Sequence, residues 1–327
     1  MKINFIKYLK LIIPISIGIG CIFYSITTLN ENDINSIIES FANAEYSWVI
    51  FGVILGALSH LSRSYRWKYL LEPLGYKISF LNSVMAIFSA YLINYTFPRA
   101  GDIARGTIVY KYEDIPLEKG IGTIVAERAV DVLCVSILIV IGLFINYQLI
   151  TEKLYEASSF INLKLIMFSF IILGGILFLL SRKNSKSFRI ISKIQTFFKG
   201  LYEGFMIIFK LENKWLFIMH SIFIWLMYIL MFYVTSKAVI ELPDLSFSMI
   251  LISFILSSLT IMFTPGGIGA YPLAVQISFS WFGISSVSSL SFGWIMWTSQ
   301  TLMIIIFGGL SLIILPFINN KKRSNES

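Results

Sequence analysis

The sequence predicts an all-α, polytopic integral membrane protein, and three observations lead there. Hydrophobic residues make up 57% of the 327 and charged residues only 13%, against roughly 45–50% and 25% in an ordinary soluble domain. The stretch 245–320 carries no Asp, Glu, Lys or Arg, a composition that calls for lipid as the solvent. No alternating strand pattern accompanies the apolar runs, and backbone groups in lipid must be bonded within the segment, which leaves helices as the spanning element. A water-soluble enzyme is thereby excluded.

Uncharged runs mark the elements in order: 11–30, 46–62, 78–98, 132–151, 165–181, 215–236 and the long 245–320. The first follows Lys2, Lys7 and Lys10 and ends near Cys21, like a lipoprotein signal. Gly18 stands where such a site prefers a leucine-like residue, however, and the apolar run continues to Leu29, so an uncleaved first span is expected.

Segment 78–98 is long enough to cross but ends in Pro98-Arg99-Ala100-Gly101-Asp102 and a charged stretch. If it returns to the side it entered from, all of the 26 Lys and Arg except Lys153, Lys164 and Lys237 lie on the cytosolic side. If it crosses, fewer than half do. The positive-inside rule therefore favours a re-entrant hairpin. Segment 245–320 is broken at Thr264-Pro265-Gly266-Gly267-Ile268-Gly269-Ala270-Tyr271-Pro272. Charge leaves open whether 245–283 crosses or dips in from outside. A final helix, about 290–316, leads to the basic tail. About six full spans and two broken segments are expected, up to eight spans in all, with both termini in the cytosol of a bacterial inner membrane.

The chain is expected to be a single transmembrane domain over 1–327, with pseudo-halves at about 46–151 and 215–316. Each half reads as helix, broken segment, helix, one inverted relative to the other. Such a pair of Gly/Pro interruptions points to a transporter's binding site. Between the halves, 182–214 interleaves basic residues with Phe188, Ile191, Ile194, Phe197, Phe198 and Leu201, the pattern of an amphipathic helix on the anionic leaflet.

The net charge of +8 suggests nucleic acid until its distribution is seen: the basic residues fall in short loops between apolar runs, which is membrane orientation. Cys21 and Cys134 lie in apolar runs and His60 is far from His220. No metal spacing, disulfide framework or cofactor follows.

Polar residues at membrane depth are the candidates for function. Arg63 and Arg66 share one helix face; snorkelling to the interface is the plain alternative. With Asn94, Arg99, Asp102 and Arg105 on or beside the first break, they would suit a phosphate group. Glu127, Arg128 and Asp131 form a third cluster, either functional or neutralising Arg99 or Arg105. Thr264, Pro265, Gly266, Gly267 and Gly269 make the second break, whose exposed backbone could meet a substrate or form a tight turn. Gly52 and Gly56 make a GxxxG spacing that could seat another helix, and so a homodimer.

At these residues the sequence resembles the flippase-like family of bacterial membrane proteins, the transmembrane region found in lysylphosphatidylglycerol synthases and in stand-alone relatives. The match runs in order through Arg63-x-x-Arg66-Trp67, Asn94-x-x-x-Pro98-x-x-Gly101-Asp102-x-x-Arg105, Glu127-Arg128-x-x-Asp131 and Thr264-Pro265-Gly266-Gly267-x-Gly269. The resemblance implies a carrier that moves a phospholipid or lipid-linked headgroup between leaflets. Family members often carry an acidic residue where this chain has Pro272, which puts a role for that carboxylate in doubt. Eleven residues follow Pro316, too few for the aminoacyl-transfer domain, so no synthesis of lysyl lipid is expected. Two other classes stay open: a membrane-embedded transferase on phospholipid or polyprenyl-linked substrate with Glu31, Asp33, Glu127 or Asp131 as base, and an accessory subunit of a separate lipid-modifying enzyme.

Overall fold

The computed structural model describes the backbone of residues 5–96, 100–160 and 211–326. Arg99, Pro98, the expected span at 165–181 and all but the last few residues of the amphipathic stretch 182–214 lie outside these. The described residues form eleven α-helices and no strand: α1 (Phe5–Thr27), α2 (Glu31–Ala42), α3 (Tyr46–Leu71), α4 (Phe80–Thr96), α5 (Gly101–Glu113), α6 (Leu117–Ile145), α7 (Tyr147–Phe160), α8 (Lys214–Ser236), α9 (Phe247–Thr260), α10 (Ala270–Ser280) and α11 (Ser286–Glu326). Three stretches, Leu117–Ile145, Lys214–Ser236 and Ser286–Asn319, are long and apolar enough to cross a membrane. A fourth would be the bent pair Ile12–Thr27 and Glu31–Ala42, turned by 111°.

Helix α2 has no uncharged run to announce it. It starts where it does because Asn30 and Asp33 cap it reciprocally: Asp33 N–H donates to Asn30 Oδ1 at 2.9 Å, and Asn30 N–H to Asp33 Oδ2 at 3.1 Å. Two backbone donors that the helix cannot satisfy are thereby bonded. The helix then packs on α11.

Helix α3 continues past Ser62, where the uncharged run ends, and carries Arg63 and Arg66 inside it. Its 26 residues make it about 39 Å long. Gly52 and Gly56 face α8 of the same chain: a Cβ at Gly52 would lie 2.2 Å from Thr235 Oγ1, and one at Gly56 2.7 Å from Met231 Sδ. The GxxxG spacing thus seats an intramolecular neighbour and gives no support to a dimer.

Helices α4 and α5 form an antiparallel hairpin. At its base the Glu113 carboxylate, ending α5, accepts from Ser79 N–H at 3.0 Å, Ser79 Oγ at 2.7 Å and Asn82 Nδ2 at 2.6 Å, at the start of α4. Near its tip Gly101 lets α5 begin against α4; a Cβ there would stand 2.1 Å from the Ala90 carbonyl oxygen. Asn82 also exchanges amide hydrogen bonds with Asn319 of α11, at 2.9 and 3.0 Å.

Helices α9 and α10 pack as a second hairpin, joined through a 3-10 turn at Pro265–Gly267. Gly266, Gly267 and Gly269 have φ of 59°, 80° and 68°, values that glycine adopts without a Cβ penalty. The two interrupted segments touch, because a Cβ on Gly266 would meet the Tyr95 ring of α4 at 2.2 Å. Helix α11 does not stop at Pro316 as expected but runs through it to Glu326. Proline forfeits one hydrogen bond there, and the neighbouring turns carry the helix on.

The apolar core of the described residues has three centres, the smallest formed by Phe88 of α4 with Met303 and Ile304 of α11. Trp67, Leu71, Ile115, Ile124 and Phe217 pack where α3, α6 and α8 meet the α5–α6 connection; Phe232, Leu251, Val275, Phe279 and Phe292 pack among α8, α9, α10 and α11. Outside them large apolar side chains face outward, Phe144 at 86% exposure among them, as a lipid-facing surface would have.

Candidate functional site

One turn separates Glu127 from Asp131 on α6, and one turn separates Arg63 from Arg66 on α3, so each helix presents two like charges on one face. The two faces meet. Glu127 Oε1 accepts from Arg63 Nη1 at 3.0 Å and from Arg66 Nη2 at 2.9 Å. Asp131 takes the same pair, with Oδ1 accepting from Arg66 Nη2 at 3.0 Å and Oδ2 from Arg63 Nη1. From α5, Arg105 Nη2 comes within 2.8 Å of Glu127 Oε2; this is an ion pair out of line for a hydrogen bond.

All five side chains are buried, Arg66 completely. The snorkelling alternative for Arg63 and Arg66 is therefore overturned: α3 does not end at them, and α6 supplies carboxylates that hold them inside. Arg105 lies over the Trp67 ring, with Cζ 3.7 Å from the ring centroid, a favourable cation–π geometry. The indole is fixed in turn by Nε1 donating to Thr123 Oγ1 at 2.9 Å. Arg66 reaches α8 as well, where Nη1 donates to Ser221 Oγ at 2.9 Å.

An outer pair rims the cluster. Arg128 grips Asp102 of α5 with Nη2 at 2.8 Å and Nε at 3.4 Å, and its Nη1 stands 3.7 Å from Asp131 Oδ2. These two side chains are 38% and 37% exposed. Asn94 stands beside them on α4, its Oδ1 accepting from Gly101 N–H at 2.8 Å. A cavity of about 10 Å³ is bordered by Ile87, Ala90, Tyr91, Asn94, Arg105 and Arg128.

Arg63, Arg66, Arg105, Glu127 and Asp131 are thus brought together, with Asp102, Arg128 and Asn94 at the edge. Thr264, Pro265, Gly266, Gly267 and Gly269 belong to a different neighbourhood. Their turn rests on Tyr95, on Trp297, whose Nε1 donates to Gly266 O at 2.8 Å, and on α1, where a Cβ at Gly269 would lie 2.4 Å from Gly18 O. Pro272 packs against Gly293 of α11, so the position at which the resemblance implies an acid serves helix packing here.

Sequence reasoning missed Ser221, Tyr91 and Thr123. Ser221 sits 155 positions from Arg66 among uncharged residues, with no local signal to mark it. Another unforeseen contact, Ser62 Oγ to His220 Nδ1 at 2.8 Å, joins α3 and α8 beside the cluster.

The profile of the lysylphosphatidylglycerol synthase transmembrane region matches residues 11–309. The chain belongs to this family. It is a membrane-embedded, multi-pass protein. A UPF0104 membrane protein of Methanocaldococcus jannaschii is 26% identical over 280 residues, covering 77% of this chain and 80% of that protein. The glycosyltransferase AglD of Haloferax volcanii is 31% identical over 107 residues, which is 32% of this chain but only 17% of that protein. No solved structure matches the chain.

Proposed function

We propose that this protein is a carrier that moves a phospholipid or lipid-linked headgroup between leaflets, with the phosphate taken up by the arginines of the cluster. The observation that carries the reading is the cluster itself. Five ionised side chains buried between helices of a membrane protein add little net stability, since apolar residues of equal volume often hold a fold as well. Charges kept at such depth point to a substrate path. Guanidinium forks suit phosphate oxygens, and in the absence of substrate Glu127 and Asp131 stand in for them.

The cavity of about 10 Å³ has room for about one water, so the cluster is closed to a headgroup in this conformation. Uptake requires α5 to part from α6. The Asp102–Arg128 pair, being partly exposed, exchanges first, and Arg105 follows. Asn94, Arg99 and the turn holding Thr264, Pro265, Gly266, Gly267 and Gly269 belong to the same reading as the moving breaks.

An inverted repeat within one transmembrane domain of about six spans and two broken segments would supply the motion. Exchanging α3 with α8, α4 with α9, α5 with α10 and α6 with α11 returns the same set of packed pairs. The α4–α11 contact becomes α9–α6, α3–α11 becomes α8–α6, α3–α6 becomes α8–α11, and α3–α8 maps onto itself. Two halves so related can rock against each other and open alternately to either side. The basic residues favour both termini in the cytosol.

The test is transfer of labelled phospholipid between the leaflets of proteoliposomes. Transfer above that of empty liposomes, lost on Arg66→Gln, is expected; unchanged leaflet distribution across several headgroups would count against a carrier. The local likeness to a glycosyltransferase favours one second reading, a transferase on a lipid donor. Glu127 and Asp131 are poor bases for it, because arginines occupy their oxygens, and Asp33 is spent capping α2. Turnover of a lipid-linked sugar by the purified protein would establish that reading instead.

A further inference from the structure

The cavity at the rim of the cluster differs in character from the ion pairs behind it. Among the described residues no carboxylate borders it; its polar edge consists of Tyr91, Asn94, Arg105 and Arg128, groups that have N–H or O–H bonds to donate. Arg105 is only 2% exposed, and its Nε has no hydrogen-bond partner among the described residues. A buried donor left so costs about 1–3 kcal/mol. Asn94 has committed its oxygen to Gly101 N–H, which leaves its amide hydrogens.

Charge points the same way. Among the described residues the guanidiniums of Arg63, Arg66, Arg105 and Arg128 pair with the carboxylates of Asp102, Glu127 and Asp131. Asp102 and Arg128 offset each other at the exposed rim; behind them three buried guanidiniums face two carboxylates, which leaves one positive charge uncompensated where water is scarce, a costly arrangement. The excess is a single charge, so a monovalent anion balances it.

Size decides among anions. About 10 Å³ admits one particle close to a water molecule in size, whereas a phosphate group with four oxygens does not fit. We propose that this cavity binds one small monovalent anion of the halide class, chloride under cellular conditions, held by Arg105, Arg128 and Asn94. Arg128, 38% exposed, provides the route by which the ion exchanges with solvent. The ion neutralises the cluster whether or not the protein carries lipid, so the proposal does not depend on the translocase reading.

The experiment is equilibrium binding of radiolabelled chloride to the purified full chain in detergent, in sodium gluconate at constant ionic strength, with the unfolding midpoint followed in parallel. Wild type is expected to bind one chloride per chain saturably, with bromide competing and inorganic phosphate not. Its midpoint should rise with chloride but not with added gluconate. Arg105→Gln should weaken binding at least tenfold. Asn94→Asp, which sets a fixed carboxylate at the cavity edge and keeps the acceptor for Gly101, should abolish binding and lift the midpoint in gluconate to the wild-type value in chloride. Should Arg105→Gln fail to fold, Asn94→Asp decides alone. Absence of saturable binding by folded wild type, undiminished binding by Asn94→Asp, or phosphate competing as well as bromide would overturn the proposal.

Discussion

Glu127 holds the cluster together, since one carboxylate faces three buried guanidiniums. Replacing it by Gln strands Arg105, whose carboxylate partner it is, and leaves Arg63 and Arg66 to Asp131 alone; breaking a buried pair in this way costs about 3–5 kcal/mol. Glu127→Gln should therefore lower the thermal unfolding midpoint sharply, read by tryptophan fluorescence in detergent. Asp102→Asn, at the exposed rim, should cost no more than about 1 kcal/mol. Equal effects of the two would contradict the geometry. Gly101→Ala makes a third case, because its methyl would enter the Ala90 carbonyl at 2.1 Å; overpacking of this kind costs about 1–3 kcal/mol, measurable in the same assay. The spacings of Arg63 with Arg66 and of Glu127 with Asp131 were legible in the sequence as shared helix faces. Which face met which was not, and Ser221 was invisible because a lone serine in an apolar helix has no pattern of its own.

Among the elements, the break between α4 and α5 was legible for a local reason, the proline and glycine between Thr96 and Asp102. The glycines of the second break were legible too, and their positive φ gives the physical ground. Helix α2 was not legible from uncharged runs, since Glu31, Asp33 and Glu39 interrupt it, although Asn30 and Asp33 spell out its cap. Pro316 misled because a helix stop from one proline is a tendency that neighbouring turns can override. The GxxxG spacing was legible as a seat for another helix, and α8 of the same chain fills it. Gly52→Ile should accordingly loosen α3 from α8, lowering the unfolding midpoint while the oligomeric mass of the purified protein stays unchanged. A change of mass at constant midpoint would place a dimer contact there after all.

At the scale of the whole molecule, the two interrupted segments touch at Tyr95 and Gly266, while the base of the first hairpin, in the first of the two proposed halves, is tied to α11, in the second, by Asn82 and Asn319. If the halves rock, that tie must open and close in each cycle, since it spans the two moving parts. This arrangement was not legible in the sequence: the two asparagines lie 237 positions apart and each reads singly as an ordinary helix residue. The most direct measurement replaces Asn82 and Asn319 by Cys, with Cys21 and Cys134 changed to Ser, and joins the new pair with a short reducible cross-linker. Transfer of labelled phospholipid is then followed in proteoliposomes before and after reduction. Transfer absent while the link holds and restored when it is cut is the expected result; transfer at the full rate through the intact link, or none in either state, would contradict a carrier that works by alternating halves.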